Sequence, residues 1–148
     1  MREMFELRSA LAFAELPPHD PAWQALSKLE QRHIELLADI DGSRAAFSEV
    51  DNDLHMLVNS ASRNRFVERF HALSSLIFHY HYQWIKDDEK QHRVVAIQEH
   101  LAYIAALRSR DRDAIRTVVL AHLQTARLSL FASIERGELR LARVSQRR

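Results

Sequence analysis

The stretch RAAFSEVDNDLHMLVNSASRN, residues 44–64, decides the fold. Phe47, Val50, Leu54, Leu57 and Val58 recur at helical steps, so they line one side of an α-helix running from about Arg44 to Ala61. On the same helix Asp51 and His55 stand four residues apart, which stacks a carboxylate over an imidazole on one face. The polar run Ser62 to Asn64 ends the helix. A helix apolar on one side only needs other helices to cover it, and the flanking sequence supplies them.

Upstream, Phe5, Leu7, Leu11, Ala12 and Phe13 predict a helix over residues 3–15. Pro17, Pro18 and Pro21 interrupt it. Asp20 is placed to cap the next helix, with Pro21 at its first position. That second helix runs to about Asp39, with Trp23, Leu26, Leu29, Ile34 and Leu37 expected inside, and Gly42-Ser43 reads as its stop and a new cap. Downstream, a fourth helix carries Phe66, Phe70, Leu73, Leu76, Ile77 and Trp84, and Asp87-Asp88 marks a turn. A fifth, from about Glu89 to Arg108, turns Val94, Ile97, Leu101 and Ile104 inward. Asp111 caps a sixth, whose inner face is Ile115, Val118, Val119, Leu123, Leu130 and Ile134, with Gly137 expected to stop or kink it. No stretch alternates as a strand does. The expectation is a single all-α domain over residues 1–148, an antiparallel bundle of about six helices.

Composition agrees. Gly (2) and Pro (3) are too few for a hairpin-rich fold, and 148 residues suit one domain with a real core. The net charge of +1 argues against a protein whose own surface neutralises phosphates. There is no cysteine, which excludes disulfides and thiolate metal sites. No apolar run approaches the roughly 20 residues of a membrane span, and the start lacks a signal-peptide core, so a cytoplasmic location is expected.

Two more histidines lie on inner helix faces. His100 is one turn from Ile97 and Ile104, and His122 one turn from Val118, Val119 and Ala126. Three helices can thus aim Asp51, His55, His100 and His122 at one spot. Three imidazoles and a carboxylate suit a divalent first-row transition ion such as Zn²⁺, Ni²⁺ or Mn²⁺. Each histidine taken singly reads more readily as a satisfied core or boundary residue than as a ligand, and an isolated Asp-x-x-x-His pair is common.

The ordered set of motifs resembles the effector-binding domain of GntR-type transcriptional regulators of the FadR subfamily, the FCD domain. The residues that carry the resemblance are Glu6-Leu7-Arg8, Asp51-Asn52-Asp53-Leu54-His55, Ser60-Ala61-Ser62-Arg63-Asn64, Glu99-His100, and His122, 22 residues after His100. Leu54 stands where the family commonly has Phe, and Leu11-Ala12 where it often has Glu. The resemblance implies a metal held by Asp51, His55, His100 and His122, with a small carboxylate effector beside it. It implies a homodimer, and DNA binding through a winged helix absent from this chain and belonging to a longer parent. Arg8, Asn64 and Arg93 are candidate effector contacts; the plainer readings are surface arginines and, for Asn64, a helix cap. No residue reads as a nucleophile or general base, so a sensor rather than an enzyme is expected. A water-activating metalloenzyme and a ligand-free dimerisation module are the rival classes.

Of the remaining histidines, His33, His71 and His92 read as solvated or boundary residues. The run Phe78 to Trp84 reads as packing and dimer surface, since His79 and His81 fall on different helix faces. The segment Arg108 to Arg116 alternates with Asp111 and Asp113 and reads as a solvated turn.

Overall fold

The computed structural model describes the backbone of residues 1–41, 44–82 and 89–145, and the side chains of 1–41, 46–77 and 90–135. The described residues form six helices: α1 (Arg2–Ala14), α2 (Pro21–Ala38), α3 (Arg44–Ser60), α4 (Arg65–Tyr82), α5 (Glu89–Ser109) and α6 (Arg112–Ser145). No strand occurs among the described residues. The expected all-α bundle is therefore the observed one.

Local chemistry sets the joints. The Asp20 side chain accepts a hydrogen bond from Ala22 N at 2.9 Å with Pro21 at the first helical position, which starts α2. Between α3 and α4, Arg63 takes φ 51°, and Asn64 Oδ1 accepts from Phe66 N at 3.0 Å. Asp111 Oδ1 accepts from Asp113 N and Ala114 N and so caps α6. Gly42, Ser43, Trp84, Asp87 and Asp88 lie outside the described residues, as do the side chains of Phe78 to Tyr82.

Helix α1 packs against α3, α4, α5 and α6, while α2 covers α3 and α5. The core joins Ala10 and Phe13 of α1, Leu26 and Leu29 of α2, Leu54 and Val58 of α3, Tyr103, Ile104 and Leu107 of α5, and Ile115, Val119 and Leu123 of α6. Phe13 meets Trp23 edge to face at 5.0 Å, tying α1 to α2 across the proline break.

Several sequence expectations are corrected. Ile34 is 48% exposed, and His33 occupies the inner position beside it because Leu26, Leu29 and His33 form the continuous stripe. Ile134 is likewise exposed, and the buried position beside it on α6 is Ser133. Gly137 does not stop α6, which continues to Ser145. His33 and His71 are both buried rather than solvated. The segment Arg112–Glu135 reaches the length and mean hydropathy of a membrane span, against the expectation of no such run. It also carries Arg112, Asp113, Arg116 and Arg127, and it buries Ile115, Val119, His122 and Leu123 within the bundle. The arginines of the α5–α6 turn are engaged within the chain. Arg108 pairs with Glu30 and Arg112 with Glu15, while Arg110 donates to Leu16 O and lies over Trp23.

Candidate metal and effector site

The inner faces of α3, α5 and α6 converge where the sequence places Asp51, His55, His100 and His122. Ligand nitrogens of His55, His100 and His122 all lie within 4.8 Å of one another, and the three residues are buried. Asp51 Oδ1 is 3.5 Å from His100 Nε2 and 4.0 Å from His55 Nε2. The helical periods explain the convergence. Each histidine occupies a step of the stripe that packs the core: Leu54 and Val58 flank His55, Ile97 and Ile104 flank His100, and Val119 and Leu123 flank His122.

The outward edge of each ring is held by an acceptor. His55 Nδ1 donates to Glu6 Oε1, and His122 Nδ1 donates to Glu99 Oε2 at 2.9 Å. His100 Nδ1 lies 3.0 Å from His33 Nε2, and His33 Nδ1 donates to Leu29 O at 2.7 Å. With His100 Nδ1 engaged by His33, a neutral His100 ring turns a bare Nε2 inward. His55 Nε2 and His122 Nε2 lie 3.3 Å apart, within hydrogen-bond distance of each other. His100 Nε2 is buried without a hydrogen-bond partner. An orphaned buried acceptor is unfavourable unless a proton or a cation meets it. The donor set and its surrounding acceptors therefore fit a divalent transition ion.

The electrostatics agree. Burial, followed by the charges of His122 and His55, holds the His100 pKa well below its ordinary value, so this ring is neutral at pH 7. Burial would raise the pKa of Glu6, but the charge and hydrogen bond of His55, aided by Arg2 and His122, outweigh it and bring the carboxyl down to about 2. Glu6 is therefore an ionised acceptor beneath His55.

A small cleft of about 20 Å³ opens onto these groups, lined by Arg2, Asp51, His55, His71, Ser74, Ser75, His122 and Ala126. A second, largely apolar cleft of about 240 Å³ between α5 and α6 meets the first at His122 and Ala126.

Of the three residues proposed from sequence to contact an effector, Arg8 is exposed on α1, Asn64 is exposed and caps α4, and Arg93 is half-buried on α5. None of them lines either cleft. Sequence reasoning missed Arg2, Glu6, His33 and His71. The signal for Glu6 was present: Arg2, Glu6, Ser9, Ala10 and Phe13 share one helical stripe that ends in the core, and Arg8 falls off it.

Comparison with known proteins supplies a lineage. Residues 1–125 match the FCD domain. The chain is 40% identical over 136 residues to the probable HTH-type transcriptional regulator LgoR of Escherichia coli (strain K12), an alignment covering 90% of this chain and 44% of that protein. The chain thus spans less than half the length of the curated relative it matches. No solved structure matches it.

Proposed function

Because this chain belongs to the FCD domain family of GntR-type transcriptional regulators, we propose that it senses a small organic acid at a divalent-metal site inside its helical bundle. One observation carries the reading: the ligand nitrogens of His55, His100 and His122 lie within 4.8 Å of one another, Asp51 Oδ1 lies 3.5 Å from His100 Nε2, and that buried nitrogen has no hydrogen-bond partner. Asp51, His55, His100 and His122 would hold the ion, with Zn²⁺, Ni²⁺ or Mn²⁺ as the suitable choices. When bound, such an ion supplies open coordination positions for a carboxylate oxygen.

The chain's own residues shape the rest of the cleft. Arg2 lines it beside Asp51, and its guanidinium is suited to pair an entering carboxylate. Ser74, Ser75 and His71 form a polar wall that favours a small, hydrogen-bonding acid over a long apolar chain. The site draws on α1, α2, α3, α5 and α6, through Glu6, His33, Asp51, His55, Glu99, His100 and His122. An effector that fits one arrangement of these helices better than another shifts the population toward it.

In a longer cytoplasmic regulator, that shift would reset the spacing of paired DNA-binding domains and so operator affinity. Exposed Leu73, Leu76 and Ile77 of α4, with Leu128 and Phe131 of α6, favour a homodimer as the assembly that transmits it. Glu6 and Glu99 are the buried and half-buried carboxylates nearest the histidines, and both are occupied by Nδ1–H groups. Neither is placed to act as a base on water, which favours sensing over hydrolysis.

Elemental mass spectrometry of the purified protein tests the reading. Near-stoichiometric metal that is lost in His100→Ala/His122→Ala, together with saturable thermal stabilisation by a small carboxylate, is the expected result. No metal in the wild type, even after incubation with Zn²⁺, Ni²⁺ or Mn²⁺, would overturn the metal site. Turnover of the carboxylate would favour the enzyme instead.

A further inference from the structure

Resting on the metal reading above, we infer that His33 is a positioning residue, which fixes His100 in the one tautomer able to bind a metal. The argument begins at a backbone carbonyl. Leu29 O can only accept a hydrogen bond, so His33 Nδ1, 2.7 Å away, carries the proton. A neutral ring protonated at Nδ1 has a lone pair at Nε2. That lone pair is 3.0 Å from His100 Nδ1, which therefore donates to it. His100 Nε2 is left bare, and it points toward the other donors.

The opposite tautomer of His100 has its own attraction. A proton on Nε2 would face Asp51 Oδ1, 3.5 Å away, and satisfy both groups in the metal-free protein. That arrangement would close the site by occupying the ligand nitrogen and the carboxylate with each other. His33 opposes it, because the competing tautomer would place two lone pairs, His100 Nδ1 and His33 Nε2, against each other at 3.0 Å in a fully buried contact. At His55 and His122 the same duty falls to carboxylates, Glu6 and Glu99. At His100 a neutral imidazole performs it, which selects the tautomer without adding a negative charge to a site that already holds Asp51, Glu6 and Glu99.

The test uses His33→Phe and His33→Leu, which fill the space without an acceptor, and His33→Gln, whose amide oxygen can stand near the position of the lost Nε2. Two readouts are taken: the His100 tautomer in chelator-treated protein, from long-range ¹H–¹⁵N correlation of the imidazoles, and Zn²⁺ affinity by competition with a chromophoric chelator. The apolar variants should show His100 protonated at Nε2 and bind Zn²⁺ about 10–100-fold more weakly. His33→Gln should restore the Nδ1-protonated form and most of the affinity. If a folded apolar variant keeps wild-type affinity, or keeps His100 protonated at Nδ1, the positioning role is overturned. If the wild type itself binds no Zn²⁺, the metal reading falls and the role of His33 with it; the wild-type titration separates the two failures.

Discussion

Lowering the pH of the metal-free protein from 7 to 5 should destabilise the wild type more than His71→Gln, by about 2 kcal/mol. His71 is buried on α4. Burial first, and then the charge of His55, push its pKa from 6.5 to about 4, with Arg2 adding to the push and Glu6 and Asp51 opposing it. In the unfolded chain the same imidazole keeps its ordinary value. Both states are mostly neutral at pH 7, so the group contributes little pH dependence there. Below pH 6.5 the unfolded state takes up a proton that the folded state refuses, and stability falls until the pH approaches 4. With those two values the unfolded state gains roughly 2 kcal/mol by pH 5. His33 and His100 are also pushed down, chiefly by burial, so both proteins lose further stability over this range. Comparing the two losses isolates His71, because glutamine retains a hydrogen-bonding partner for Ser75 but does not titrate. Urea denaturation in excess EDTA at both pH values, followed by far-ultraviolet circular dichroism, measures each loss. Equal losses in the two proteins would refute the reasoning, since His71 would then titrate alike folded and unfolded.

Leu54→Ala should cost about 2–5 kcal/mol in urea denaturation, because Leu54 is fully buried between the Asp51 and His55 turns and the tight core cannot collapse around the gap. Asp20→Ala should cost about 1 kcal/mol by the same assay, through loss of the bond to Ala22 N that caps α2; no change would mean that water serves equally well there. Zn²⁺ at about 100 times its dissociation constant should stabilise the wild type by roughly 3 kcal/mol, and His100→Ala/His122→Ala should show no such gain in a thermal-shift titration. Leu73→Glu with Ile77→Glu should turn a dimer into a monomer in light scattering, since these side chains are 61% and 52% exposed on one face of α4; an unchanged mass would move the interface elsewhere.

The fold was legible because helical periodicity is a local property. The stripe of α3, the Asp20-Pro21 start of α2 and the Asp111 cap of α6 each follow from a few neighbouring residues. The meeting of His55, His100 and His122 was legible for the same reason, because each lies on an apolar stripe and the stripes must face one another to form a core; Asp51 Oδ1 comes within 3.5 Å of His100 Nε2. What periodicity does not give is the value of a polar residue on an inner stripe. Glu6, His33 and His71 share the stripes of Phe13, Leu29 and Val67, yet hydrophobic patterning scores them as interruptions. Their partners are distant in sequence: His33 meets His100 from 67 residues away, and Glu6 meets His55 from 49. A buried polar group is tolerated only with a partner, so each inner-stripe carboxylate or imidazole poses the question of what it serves. Here three of them, Glu6, His33 and Glu99, serve the Nδ1 atoms of the three converging histidines. The polar interruptions of the inner stripes are thus the support of the site, and Arg8, whose place off the α1 stripe leaves it exposed, is not part of that support.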